Sequence, residues 1–319
     1  MADSNARLAY ERFLNEWADT SPTVRAHSSG STGTPKEIML PKSDMWRSAQ
    51  STVRTLGLDS GSVIASALPM RSIATKMAVV RSLAAACRYL PIEPSNNLTP
   101  ECRIDLLSVG PSQTDCLIAN PHSSALIGIL LVGGAPHSQE REQALLEAGY
   151  DVYETYGMTE TCSNVALRHC PGRHFKANCG ISFGTDSRSC LTVDAPGYSF
   201  SGLVTNDIID LISPTEFIWR GRHDNVINSG GIKIHPEEVE KSISSLLHVP
   251  YYIIGVPDPK WGTAVALVVE GSESDATRAS EAMRDFPDSV CRPRHVFAVP
   301  HFDRTPTGKI RRTVPDLRK

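Results

Sequence analysis

The chain has 319 residues, of which 40% are hydrophobic and 21% are charged, and its formal net charge at neutral pH is −3. This composition is typical of a folded globular protein and excludes a largely disordered chain. The length predicts two domains. The small negative charge gives no reason to expect a nucleic-acid partner or an anionic membrane surface.

The N-terminal sequence and the cysteines bear on cellular location. Residues 1–13 include Asp3 and Glu11 and have no apolar core, which argues against a signal peptide. The most apolar run, residues 124–136, is shorter than the ~18 residues that a membrane span requires. The cysteines form no C-x-x-C pair. We therefore expect a cytoplasmic protein with reduced thiols, without a membrane span, zinc or a disulfide framework.

Hydrophobic periodicity predicts alternating strands and helices in the first part of the chain. Residues 10–17 carry apolar side chains at helical spacing, which indicates a helix with one buried face. Residues 23–29 suit a short strand, and the apolar run 125–136 suits a strand buried on both faces. A helix over 138–148 and a strand over 150–157 follow. This alternation predicts a large, layered α/β domain with a mostly parallel sheet.

A second unit of strands and helices is predicted after residue 223. The elements expected there are a helix from Pro236, strands at 251–258 and 263–270, a helix around 275–286 and a strand at 294–300. Together they would form a small α+β domain. We place the boundary at Asp224, so that residues 1–223 form the large domain and 224–319 the small one.

A glycine-rich and hydroxyl-rich segment near the N-terminus has the composition of a phosphate-binding loop. Its members are Ser28, Ser29, Gly30, Ser31, Thr32, Gly33 and Thr34, with Lys36 close behind. Glycines let backbone N–H groups approach an anion closely, and the lysine adds a positive charge. The segment lacks Walker spacing, which disfavours a P-loop NTPase. A flexible turn is the alternative reading.

Two acidic residues stand at the ends of strand-like runs. Glu160 follows Thr159 after Tyr156-Gly157, and a carboxylate at such a position can bind a Mg²⁺ ion that bridges substrate phosphates. Asp207 can accept hydrogen bonds from ribose hydroxyls. Considered alone, each is as readily a surface residue or a cap.

Three further features lie towards the C-terminus. Arg222 and Asp224 form an R-x-D pair that could be an ordinary surface ion pair. The consecutive glycines Gly230 and Gly231 follow. Lys309 comes after Gly308 in a segment where the default interpretation is an exposed lysine.

The order of these motifs is more specific than any one of them. They run S-G-S-T-G-T-P-K, V-G-G-A-P, Y-G-M-T-E-T, T-N-D, G-R-x-D-N-x-I-N-S-G-G and P-T-G-K. This ordered set, over about residues 24–312, resembles the adenylate-forming superfamily of acyl-CoA synthetases, adenylation domains and luciferases. The resemblance implies an ATP-dependent, AMP-forming ligase. In that superfamily a carboxylate attacks the α-phosphate of ATP, pyrophosphate leaves, and a thiol, usually coenzyme A, takes the acyl group.

The resemblance also assigns roles to residues. It implies that residues 28–34 and Lys36 hold the β- and γ-phosphates, while Thr159 contacts phosphate and Glu160 binds Mg²⁺. The adenine would be lined by Gly133, Gly134, Ala135, Pro136, Tyr156 and Gly157. The ribose would be held by Asp207 and Arg222. The resemblance further implies that Lys309 bridges the carboxylate and the α-phosphate, that Asp224 is the hinge of a mobile small domain, and that Gly230 and Gly231 lie on the coenzyme A side.

Within the superfamily the chain looks most like the short o-succinylbenzoate–CoA ligases of menaquinone biosynthesis. That likeness places Lys76, Ser163 and Asn164 at the acyl pocket, with Lys76 as a partner for a second substrate carboxylate. Thr75 and Asn164 depart from the glycine and histidine expected there. Superfamily members usually carry a further N-terminal subdomain ahead of the glycine-rich loop. Two alternatives stay open: a ligase for another aryl or acyl acid, and a non-catalytic nucleotide-binding relative. The sequence also leaves open whether the protein forms a homo-oligomer.

Overall fold

The computed structural model describes residues 5–27, 36–134, 138–284, 286–304 and 310–315. Its α-helices are α1 Asn5–Ala18, α2 Lys42–Leu56, α3 Ile73–Ala84, α4 Thr114–Ala119, α5 Gln139–Glu147, α6 Pro236–Ile243 and α7 Glu273–Met283. Among the described residues, no helix is long and apolar enough to cross a bilayer.

Among the described residues, the strands form one large sheet and three small ones. In chain order they are β1 Thr23–His27, β2 Glu37–Pro41, β3 Val63–Ser66, β4 Arg88–Leu90, β5 Ile104–Val109, β6 Ile127–Val132, β7 Val152–Met158, β8 Ser163–His169, β9 Phe175–Ala177, β10 Ser182–Thr185, β11 Cys190–Asp194, β12 Leu203–Ser213, β13 Glu216–Arg222, β14 Ile227–Ser229, β15 Ile232–Ile234, β16 Tyr251–Asp258, β17 Gly262–Glu270 and β18 His295–Val299.

The large sheet is parallel at one end and antiparallel at the other. Within the described residues its order is β10-β11-β12-β13-β9-β8-β7-β6-β5-β3-β4. The pairings from β4 to β7 are parallel, and those from β7 to β10 are antiparallel. The predicted layered α/β class is confirmed, but the prediction of a mostly parallel sheet is wrong. Several strands after residue 163 are joined by tight turns and not by helices, as between β10 and β11 and between β12 and β13, and such turns join antiparallel neighbours.

Helices cover both faces of the parallel part of the sheet. One core joins Phe13 of α1, Met45 of α2 and Met77 of α3 to the sheet residues Ile64 and Leu106. A second core places α4 and α5 against the opposite face. The predicted strand over 125–136 appears as β6, which lies between β5 and β7 and is buried, as its continuous apolar run indicates.

The segment after β13 builds a separate core. A short 3₁₀ turn, His223–Asn225, follows the large sheet, and β14 to β18 then pack with α6 and α7. The elements there agree with the predicted helices and strands. The division at Asp224 into a large and a mobile small domain stays a prediction, although the last strand of the large sheet ends at Arg222.

Candidate active site

The turn after β7 lies against the hairpin that carries the glycine-rich segment. β1 and β2 pair antiparallel with His27 opposite Glu37, so residues 28–36 connect them. The predicted phosphate residues 28–34 lie outside the described residues, whereas Lys36 is described and exposed. The Thr159 hydroxyl donates to the His27 carbonyl oxygen over 3.3 Å. Two motifs that are far apart in the chain therefore meet where the loop of this hairpin begins.

Hydrogen bonds of Thr161 shape the turn that presents Glu160. The Thr161 hydroxyl accepts from the Met158 N–H at 3.0 Å and donates to the Ser163 carbonyl oxygen at 2.7 Å. Cys162 and Ser163 have positive φ values of 53° and 79°, which residues other than glycine rarely adopt. The folded core therefore holds this turn in an unfavourable backbone conformation, and the Glu160 carboxylate is left exposed.

Glu160 suits a magnesium ion that arrives with phosphate oxygens. No group of three or more His, Cys, Asp or Glu side chains in the described part of the chain could hold a metal. Mg²⁺ commonly needs only one or two carboxylates when substrate phosphates complete its coordination. One exposed carboxylate beside the predicted phosphate-binding hairpin fits that donor set.

Tyr156 and Gly157 lie within β7, in agreement with the strand predicted over residues 150–157. The register shifts between them, so the strand bulges before it reaches Thr159. A Cβ atom at Gly157 would overlap the backbone carbonyl of Ser163 on β8. The glycine is therefore required for the close approach of these two strands.

Asp207 lies at the centre of a buried hydrogen-bonded cluster. Its carboxylate accepts from the Tyr156 hydroxyl at 2.7 Å and from the Trp219 indole N–H at 3.2 Å. Burial and then the Asp207 charge raise the pKa of Tyr156, so the phenol stays protonated as a donor. A carboxylate has about four acceptor sites. Asp207 can therefore also accept hydrogen bonds from a diol.

Arg222 links Asp207 to the predicted hinge. Its guanidinium lies 3.9 Å from the Asp207 carboxylate and 2.8 Å from that of Asp224. Burial alone would lower the pKa of Arg222, but the hydrogen bond to Asp224 and the Asp207 charge raise it. Asn206 also donates to Asp224, at 3.3 Å. The arginine is thus charged and bonded on both sides.

Gly133 and Gly134 follow β6 directly and reach the edge at which β7 ends. Gly133 donates its N–H to the Val109 carbonyl at 3.1 Å, and parallel neighbours bring their carboxyl ends to the same edge of the sheet. The predicted adenine-lining residues Ala135 and Pro136 lie outside the described residues.

Gly230 and Gly231 form the tight turn between β14 and β15. Both have positive φ values, 58° and 87°. A Cβ at Gly230 would lie 2.7 Å from the ring of Trp261, whose carbonyl accepts the Gly230 N–H at 2.9 Å. Only glycine suits this position. Their predicted place on the coenzyme A side stays a prediction.

Lys76 is paired with groups of the protein itself. Its ammonium donates to Glu16 at 3.0 Å and to the Arg25 carbonyl oxygen at 2.7 Å, above the ring of Phe13. These contacts hold α1 against α3, and the binding of a second substrate carboxylate by Lys76 stays a prediction. Thr75, the unexpected neighbour, donates to the Leu68 carbonyl at 2.9 Å.

Arg81 is the cation that the sequence interpretation missed. It is 1% exposed, and its guanidinium donates to the Asn164 side-chain oxygen and approaches the Ser163 hydroxyl at 3.5 Å. Its Nε is buried and has no hydrogen-bond partner among the described residues. No described carboxylate forms an ion pair with it, and burial lowers its pKa to about 10. The available signal was a single arginine inside the apolar run A-V-V-R-S-L-A-A-A.

Lys309 lies outside the described residues, but the flanking residues are described. Arg304 and Ile310 form an antiparallel bridge on either side of residues 305–309. The Arg304 guanidinium donates to Glu270 at 2.6 Å and lowers the pKa of that carboxyl to about 2. The described residues on either side of 305–309, Arg304 and Ile310, therefore both contact the small unit.

Comparison with known proteins agrees with this architecture. A 2-succinylbenzoate--CoA ligase from Listeria monocytogenes is 24% identical over 335 residues, which cover 94% of this chain and 71% of the relative. A crystal structure described as an acyl-CoA synthetase (AMP-forming)/AMP-acid ligase II-like protein, from Dyadobacter fermentans, is 29% identical with a TM-score of 0.64. That match covers 96% of this chain and 92% of the other.

A further solved structure shares the fold. The o-succinylbenzoate coenzyme A synthetase from Bacillus subtilis, in complex with ATP and magnesium, gives a TM-score of 0.77 at 20% identity over 90% of this chain and 68% of that one. Residues 7–189, more than half of the chain, match the family described as AMP-binding enzyme. The predicted superfamily is confirmed: this chain belongs to the AMP-binding enzyme family.

Proposed function

We propose that this protein is an AMP-forming acid–CoA ligase whose acid is a dicarboxylic aryl compound such as o-succinylbenzoate. Family membership supports the use of ATP. The meeting of Thr159, Glu160 and the hairpin of β1 and β2 supports a polyphosphate site with Mg²⁺. The Listeria relative, named as a 2-succinylbenzoate--CoA ligase, supports the acid and coenzyme A.

The observation that supports a dicarboxylic acid as the substrate is the burial of Arg81 without an ion pair to any described carboxylate. A buried guanidinium without a carboxylate partner is costly, since its desolvation is not offset by an opposite charge. A second substrate carboxylate would supply that charge and could accept from the unpaired Nε in a charge-assisted hydrogen bond. Ser163 and Asn164, the predicted acyl-pocket residues, already contact this guanidinium.

During adenylation, the charged residues of the site would contact different parts of the substrates. Asp207 and Arg222 would orient the ribose, while Lys36 and the N–H groups of residues 28–34 would neutralise the outer phosphates. Magnesium, when bound at Glu160, would supply further positive charge at the phosphates. Lys309 would donate to the substrate carboxylate and the α-phosphate, the two anions that must approach each other.

We also propose that residues 1–223 and 224–319 are two domains that rotate about Asp224 between the two half-reactions. The contacts of Asp224 with Arg222 and Asn206 would be remade in that rotation, with Gly230 and Gly231 then near the thiol.

The test is an assay of the purified protein with magnesium-ATP, coenzyme A and o-succinylbenzoate, with AMP and the thioester followed by mass spectrometry. We expect both products with this acid and little product with benzoate. AMP without thioester would contradict coenzyme A as the acceptor. Equal rates with benzoate would contradict the dicarboxylic acid, and no AMP with either acid would contradict the proposed reaction.

A further inference from the structure

The residues that follow Lys309 are bound to the small unit at successive positions. Ile310 packs against the cluster formed by Tyr252 and Phe302. Arg311 donates its backbone N–H to the Asp303 carbonyl at 2.8 Å. The Arg311 guanidinium also lies 3.4 Å from the Asp303 carboxylate, in a largely exposed one-point ion pair. These contacts fix the start of the C-terminal segment.

Arg312 makes the strongest attachment in this segment. Its guanidinium lies 2.7 Å from Glu240 Oε1 and donates to Oε2 at 2.8 Å, a two-point pairing with one carboxylate. It also donates to the Ile253 carbonyl at 2.9 Å. The pair is mostly buried, with side-chain exposures of 23% for the arginine and 19% for the glutamate. Bidentate pairing of this kind fixes orientation as well as distance.

Glu240 is itself held rigidly, so it can act as an anchor. It lies in α6, and its Oε1 accepts the Ile253 backbone N–H at 2.6 Å. The Tyr251 hydroxyl donates to its backbone carbonyl at 2.8 Å. The helix and the first strand of the small sheet thus both position this carboxylate. Arg312 therefore docks into a site that exists independently of the C-terminal segment.

A second carboxylate connects Arg312 with the predicted hinge. Glu237 Oε1, in the first turn of α6, lies 3.5 Å from the Arg312 guanidinium. The same oxygen accepts from the Asn225 side-chain amide at 2.5 Å. Asn225 follows Asp224 in the turn after β13. Arg312 therefore connects the described C-terminal segment, which begins at Ile310, to the carboxylate that contacts this turn.

We propose that Arg312, held by Glu240, is the positioning residue that sets the place of Lys309 for adenylation. The inference rests on the proposed function, because it assumes the role of Lys309 given above. Arg312 is three residues from Lys309, a stretch that spans about 10 Å at most. An anchor this near in the chain, in a bidentate pair, limits the position of a side chain that must reach two reacting anions.

The experiment separates the two half-reactions. Adenylation is measured as pyrophosphate exchange into ATP with o-succinylbenzoate, and transfer is measured as thioester formation from supplied acyl-adenylate. Arg312→Ala should lower exchange by about 10-fold to 100-fold, because misplacing a catalytic group is costly, and leave transfer nearly unchanged. Arg312→Lys, which keeps the charge but loses bidentate pairing, should recover part of the loss.

Further variants make the result specific. Glu240→Gln should reproduce the selective loss, and combining it with Arg312→Ala should add little, since the two residues act as one pair. Arg278→Ala is the matched control, because Arg278 also pairs with a small-domain carboxylate, Asp275, but on α7. That variant should change neither half-reaction.

Lys309→Ala distinguishes failure of this inference from failure of the proposed function. Selective loss of exchange in Lys309→Ala but not in folded Arg312→Ala would overturn the positioning role alone. Unchanged exchange in Lys309→Ala would overturn the role of the lysine and the inference with it. Equal loss of both half-reactions in Arg312→Ala would indicate a merely structural pair. If that variant does not fold, Arg312→Lys and Glu240→Gln are measured instead. Loss of exchange alone would support the positioning role, and equal loss of both half-reactions would contradict it.

Discussion

Asp207 and Arg81 are both buried charges beside predicted substrate positions, but the protein surrounds them differently. Asp207 has two protein donors, Tyr156 and Trp219, and a nearby cation, Arg222. Within the part of the chain that the structure describes, Arg81 contacts only neutral oxygens, and its buried Nε has no partner. On the nucleotide side the charge is balanced before any ligand arrives, whereas on the acyl side it is not.

This difference indicates what each region recognises. A balanced carboxylate presents remaining acceptor sites to neutral hydroxyl groups, and its geometry is already set by its neighbours. An unbalanced guanidinium favours a ligand that carries a negative charge. The nucleotide side would therefore serve any acid equally, and the acyl side would select among acids. The predictions below test that separation.

The largest effect is expected for Asp207→Ala. The change removes the ribose acceptor and leaves the Tyr156 and Trp219 donors unpaired in a buried site, so kcat/KM for ATP should fall by about 10²-fold with every acid. Steady-state kinetics with two acids measures this. Asp210→Ala, an exposed carboxylate on the same strand that pairs with Arg220, is the control. A loss confined to one acid would contradict a purely nucleotide-side role.

A selective effect is expected for Arg81→Met. Methionine fills similar space without a charge, and kcat/KM for o-succinylbenzoate should fall about 10-fold to 100-fold because one charge-assisted pair is lost. Activity with benzoate, where measurable, should change little. Replacing an unpaired buried charge by an apolar side chain should not lower the melting temperature. Equal losses of kcat/KM for both acids would show that Arg81 does not bind the second carboxylate.

Lys76→Met should change stability without changing selectivity. The Lys76 ammonium joins α3 to Glu16 of α1 and to the Arg25 carbonyl. Loss of these bonds should cost about 1–2 kcal/mol, or roughly 2–3 °C in melting temperature for a chain of this size. Thermal unfolding and the ratio of kcat/KM for the two acids are the measurements. A changed ratio would restore Lys76 to the acyl pocket.

The smallest effect is expected for Tyr156→Phe. Asp207 loses one donor but keeps Trp219, so KM for ATP should rise by about 3-fold to 10-fold. Since the pKa of Tyr156 is raised by burial and then by Asp207, the donor form persists as pH rises. In the unmodified protein, KM for ATP should not rise through loss of this proton between about pH 7 and pH 9. A rise there that disappears in Tyr156→Phe would contradict the assignment.

Local sequence patterns predicted many elements because their signals are short-range. The helical spacing of residues 10–17 predicted α1, and the buried run before Gly133 predicted β6. The antiparallel strands from β8 to β11 were missed. Their runs are short and interrupted by turns, and pairing between distant strands leaves little mark on local periodicity.

The sequence alone determined the superfamily, the order of its motifs and the chemical types of the predicted site residues, since these depend on residue identity and spacing. Only the tertiary structure decided which charges are paired. Lys76 and Arg81 lie on the same helix, yet one faces Glu16 and the other faces Asn164 and Ser163. Burial and partners depend on residues brought together from distant parts of the chain, and no local pattern contains that information.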